Sequence, residues 1–139
     1  MTTSSNRRTN DFLQDREVVP YSHVAESATV TIQIYKAPPG RAFKVDRVLY
    51  VNPTGLAQDP TNYFVIGAFN PATGNNAASW STLTGAQGSL PANTIEALVL
   101  SASAPDLVIP PGGVLDLVCT LHGTQTLPPG AVRVEGRLL

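Results

Sequence analysis

Past residue 19 the chain alternates apolar and polar side chains with a period of two. In "ATVTIQIYK" (28–36), Val30, Ile32 and Ile34 alternate with Thr29, Thr31 and Gln33. Successive strand side chains point to opposite faces, so this stretch predicts a strand with one buried face. "AVRVEGRLL" (131–139) repeats the pattern, with Val132, Val134 and Leu138 on one parity and Arg133, Glu135 and Arg137 on the other. "NYFVIGAF" (62–69) is aromatic and β-branched, which favours a strand. "IEALVL" (95–100) and "VLDLVCTL" (114–121) are apolar nearly throughout and read as strands covered on both faces, in the molecule or in an oligomer. "RAFKVDRVLYV" (41–51) breaks the rule. Phe43 and Val45 share one parity, Val48 and Tyr50 the other. A bulge at Asp46-Arg47 adds one residue and returns all four to one face.

Between these runs the chain is punctuated by 12 prolines and 11 glycines. No long amphipathic helix fits between them. Pro-Pro-Gly occurs three times, at 38–40, 110–112 and 128–130. Proline suits position i+1 of a tight turn and glycine supplies the positive φ of a type II turn at i+2. Each copy therefore reads as a rigid corner that launches a strand. Residues 71–92 read as a Gly/Ser/Asn/Thr loop with one short strand around Trp80. Short strands separated by turn signals predict an all-β antiparallel sandwich over 20–139. Residues 1–19 are polar and mixed in charge, and read as a flexible arm. Its candidate partner-binding residues are Arg7, Arg8, Phe12, Leu13 and Arg16, with the two apolar side chains as anchors that order on a partner.

Composition narrows the class. Charged residues make up 14% of the 139, and the net charge is −1. No basic run is present, so nucleic acid is not an expected partner. Cys119 is the only cysteine, so no disulfide forms within the chain. Residues 1–19 lack the apolar core of a signal peptide, and no apolar run reaches the length of a membrane span. The expectation is a chain that folds in a reducing cytoplasm, with no membrane partner.

The search for chemistry yields little. His23, His122 and Cys119 supply too few ligands for a zinc site, and Cys119 fits a strand core better. Cys119 and His122 are three apart, so on a strand they face opposite sides. There is no nucleophile elbow and no phosphate-binding glycine loop. Asp59 and Asp106 sit in turn contexts. Asp116 lies inside an apolar strand, either facing outward or paired with a base such as Arg47 or Arg133. Trp80, in a polar loop, is either a lid on the core or, with Tyr63, a platform for a sugar. No catalytic site, cofactor or metal is expected.

The strand and turn pattern resembles a family of small tailed-phage and prophage virion proteins. The resemblance rests on G-x-x-F-x-V-x-R-V (Gly40, Phe43, Val45, Arg47, Val48), on the Asn52–Gly55 turn and on "LPANT" (Leu90–Thr94) before an apolar strand. It rests also on the Pro-Pro-Gly turns before the last two strands. It covers about residues 20–139. It implies a β-sandwich, jelly-roll-like, of the capsid decoration (cement) type. Such a protein is made in the host bacterial cytoplasm and sits on the capsid surface of the virion, as a homotrimer. Its partner is the major capsid protein, whose neighbouring subunits it bridges. The alternative is a head-fibre or tail-associated module that binds a receptor or glycan through Trp80, Tyr63 and the 71–92 loops.

Overall fold

The structure, a computed structural model, describes residues 15–139. It contains ten strands: β1 (Arg16–His23), β2 (Val30–Lys36), β3 (Phe43–Val51), β4 (Phe64–Asn70), β5 (Asn75–Ser81), β6 (Glu96–Ala97), β7 (Val99–Leu100), β8 (Val108–Ile109), β9 (Val114–Leu121) and β10 (Gly130–Leu138). A single 310 turn spans Ala104–Leu107. One sheet runs β1-β10-β3-β6, with β8 also on β3, and the other runs β2-β9-β4-β5-β7. Every pairing between these strands is antiparallel.

Pairing is nested. β1 takes β10, β2 takes β9, β3 takes β8, and β4 takes β5. The chain is a long hairpin rolled up so that alternate rungs fall in opposite sheets, which is the jelly-roll form of the sandwich. Phe43, Val45, Val48 and Tyr50 of one sheet meet Ile66, Leu115, Leu117 and Cys119 of the other, and all are buried. Val132 and Val134 face inward as their parity predicts.

The expected bulge is present. Glu135 lies opposite Arg47 and Gly136 opposite Val45, so Asp46 is the extra residue. Gly136 has no room for a side chain, because the Lys44 carbonyl and the Phe43 ring occupy the place a Cβ would take.

A polar chain closes one end of the core. The Nδ1–H of His23 donates to the Val24 carbonyl (2.8 Å), which leaves Nε2 to accept from the Tyr50 hydroxyl (2.7 Å). The Tyr50 oxygen accepts from the Asn52 amide (3.2 Å), which also donates to the Pro128 carbonyl (3.0 Å). His23, Tyr50 and Asn52 are all buried. Burial pushes the Tyr50 phenol up.

Several expectations need correction. Residues 16–19 are not arm. They form the first half of β1, and their outward charges disguised a strand whose inward parity is Val19 and Tyr21. Segment 95–100 is not one covered strand. Leu98 is buried and its N–H donates to Val48 (2.8 Å), while Glu96–Ala97 pair with β3 and Val99–Leu100 with β5. The segment steps from one sheet to the other and leaves Ile95, Val99 and Leu100 exposed. β9 alternates instead of being covered on both faces, with Leu115, Leu117 and Cys119 inward. The strand foreseen around Trp80 is real and seven residues long.

The three Pro-Pro-Gly copies do three different things. Gly112 has φ 73°, and the Gly113 N–H closes on the Pro110 carbonyl (2.8 Å), as a type II turn requires. Pro38–Arg41 also closes as a turn (3.4 Å), but Gly40 is not among the positive-φ glycines. Gly130 makes no corner. It opens β10 opposite His23, where a Cβ would meet the Tyr50 hydroxyl and His23 Nε2.

The sheet edges are shielded. β1 carries Pro20, β2 is bulged at Ile34, and β6 and β7 have two residues each. These devices discourage strand-to-strand association.

Candidate binding face

The outward side of the β1-β10-β3 sheet is ordered in rows by its register. Arg16 lies opposite Arg137, which lies opposite Lys44. The next row is Val18, Glu135 and Arg47. After it come Pro20, Arg133, Leu49 and Ala97, and then Ser22, Ala131 and Val51. The face therefore runs from a cationic end through ion pairs to an apolar end.

Glu135 sits at the centre. It accepts from Arg47 Nε (2.6 Å) and Arg133 Nε (2.9 Å), and its side chain is 11% exposed beneath two guanidiniums that are about half exposed. The Arg47 hydrogen bond, followed by the charges of both arginines, outweighs desolvation and holds the carboxyl below its ordinary range. A carboxyl depressed by folding stabilises above its unfolded value, about 4.3, and loses that contribution as pH falls through the folded value. Glu135→Gln is thus expected to melt below the wild type at pH 7, with the gap closing toward pH 2. A gap independent of pH, read by thermal melts across that range, would contradict this account.

At the apolar end a groove of about 190 Å³ is lined by Pro20, Leu49, Val51, Ile95 and Ala131, with the Arg133 stem. Ile95 stands at its rim, 62% exposed. At the cationic end Arg137 reaches Asp46 (3.6 Å), and Arg41 pairs with Asp15 (3.0 Å).

The sequence-predicted residues fall in different places. Arg7, Arg8, Phe12 and Leu13 lie outside the described residues. Arg16 is on this face. Trp80 is on the other sheet, partly buried against the core, and its indole N–H donates to the Gly88 carbonyl (2.8 Å). Tyr63 stacks on His122 with ring centroids 4.2 Å apart. Cys119 is fully buried, and burial pushes its thiol up to about 12. Asp116 faces outward, and burial raises its carboxyl. Arg47 and Arg133, its suggested partners, bind Glu135 instead. Asp59 is the acceptor of its own turn, bonded by the Thr61 and Asn62 N–H groups. Among the described residues no group of three or more His, Cys, Asp or Glu is placed to hold a metal ion. No helix among them is long and apolar enough to cross a membrane.

Reading strands one at a time missed the groove. The outward parity of Arg133, Glu135 and Arg137 was visible in "AVRVEGRLL". Leu49, Pro20 and Ile95 join it only through cross-strand register and the step at Leu98.

No family model matches the chain, and no curated protein matches it. Among solved structures, the chain is similar to a protein of the T13 viral particle of IBDV (TM-score 0.34, 13% identity, 88% of this chain and 31% of that one). It is similar also to chains of the infectious bursal disease virus Gx strain (TM-score 0.33, 15% identity, 87% and 31%) and Gt strain (TM-score 0.32, 13% identity, 88% and 37%). It spans about a third of the length of each.

Proposed function

We propose that the chain is a capsid decoration protein. It binds the outside of an assembled tailed-phage shell, bridges neighbouring major capsid subunits and stabilises the shell by binding, with no catalytic role. Copies group in threes on the capsid surface. The observation that carries this reading is the β1-β10-β3 face, which joins an apolar groove to a cationic end on a small sandwich with shielded edges. Such a molecule meets partners face-on, and binding only the assembled shell stabilises it by mass action. The strand and turn pattern of the sequence supports the virion setting. The jelly roll also serves lectin domains. Here Trp80, the ring best suited to a sugar platform, packs against the core, which favours the capsid reading.

Quantitative mass spectrometry of purified particles tests this. About one copy per major capsid protein, or a simple fraction such as one-third, is expected. A handful of copies per particle would move the chain to the tail or a vertex, and none at all would refute the virion role. The arm has its own test. Deleting residues 1–14, which spares β1, is expected to weaken shell binding and leave the melting temperature unchanged. Undiminished binding would remove Phe12 and Leu13 from the contact.

A further inference from the structure

We propose that the outer face of the β1-β10-β3 sheet is the shell-contacting surface. Its target is a protein surface that presents an apolar side chain about 13 Å from a cluster of carboxylates. That spacing is the four residue steps of β10 from Arg133 to Arg137, at about 3.3 Å per step. The inference rests on the decoration reading and adds the chemistry of recognition.

Charge placement is the first argument. The chain is net −1, yet this face carries Arg16, Lys44, Arg47, Arg133 and Arg137 against Asp46 and Glu135, with Asp15 and Arg41 paired to each other at its cationic end. Glu135 is already held by two arginines. The row Arg16–Arg137–Lys44 places three cations side by side across three strands. Like charges directly opposite one another destabilise a sheet. Asp46, 3.6 Å from Arg137, offsets one of them. Neither Arg16 nor Lys44 has an ion-pair partner within 4 Å among the described residues. An acidic partner relieves the repulsion, so binding gains what the free chain lacks.

The groove is the second argument. A cavity of about 150 Å³ takes a benzene ring, so the 190 Å³ beside Leu49 and Ile95 admits one aromatic or aliphatic side chain. Burying such an anchor beside a charged rim is how protein interfaces concentrate affinity. A nucleic-acid backbone would need cations along its whole path. Here the path leads from cations to ion pairs to an apolar hollow.

The test uses shells purified from a lysate in which the gene for this chain is disrupted, titrated with the full chain and three variants. Ile95→Asp is expected to bind roughly tenfold more weakly or worse, since it puts a charge at the rim of an apolar contact. Arg16→Gln with Lys44→Gln is expected to bind roughly tenfold more weakly, and to melt no lower than wild type because repulsion in the row is relieved. Thr31→Asp, exposed on the outer face of the other sheet, is the control and is expected to bind as wild type. Wild-type binding by Ile95→Asp and by the double variant would overturn this inference and leave the decoration reading standing. Loss in the charge variant alone would mean simple anion binding and would also overturn it. Failure of the wild-type chain to bind shells would refute the decoration reading, and this inference with it.

Discussion

Gly136→Ala is expected to destabilise the protein by about 3 kcal/mol, the upper end of the usual overpacking range. At this chain length that lowers the melting temperature by roughly 12 °C. The reason is geometric. The added Cβ would fall on the Lys44 carbonyl and against the Phe43 ring. The carbonyl belongs to the β3 backbone beside the Asp46 bulge, and Phe43 is fully buried, so neither can yield cheaply. Gly40→Ala is the matched control. Nothing lies within 4 Å of its Cβ, and its φ is not positive. Thermal melts of the two variants check the argument, and equal losses would show that the bulge has room to relax.

Tyr50→Phe is expected to cost about 2 kcal/mol although it removes a single oxygen. That oxygen is donor to His23 and acceptor from Asn52, and all three residues are buried. Phenylalanine keeps the ring packing and orphans both partners. The loss should fall on the joint between β1, β3 and the segment before β10, because Asn52 also holds the Pro128 carbonyl. A double-mutant cycle with Asn52→Ala distinguishes this from loss of packing. Coupling well above 0.5 kcal/mol is expected for members of one hydrogen-bond chain. Strict additivity would mean that the two side chains act independently.

Which features were legible in the sequence follows from the range of the physics involved. The Asp46 bulge was visible because parity is local: Phe43 and Val45 disagree with Val48 and Tyr50, and one extra residue restores them. The outward face of Arg133 and Arg137 follows from the same alternation, and the burial of Cys119 from its residue type, whereas the alternation of β9 was hidden by apolar residues on both parities. Register is not local. Arg16 looked like part of a solvated arm until β10 was set beside it, so the cation row could not be seen. Ile95 looked like a core residue because its neighbours are apolar, yet Leu98 alone turns inward where the segment changes sheets. The Pro-Pro-Gly copies misled for a related reason. Gly112 is needed for its φ, whereas Gly130 is needed for the space claimed by Tyr50 and His23, residues far away in the chain.

The nested strand order also bears on when this chain can fold. β10 lies between β1 and β3, so the middle of that sheet is made last on the ribosome. Arg16 finds its neighbour only when Arg137 has emerged. Until then β1 and β3 have no shared partner, and one edge of β3 waits unpaired. Closing such long loops before any contact rewards them makes folding slow, on the order of milliseconds to seconds. Of the adjacent strand pairs, β4 and β5 alone form a local hairpin. Among the pairings of the finished roll, that hairpin can form early and serve as the seed on which the outer rungs are wound.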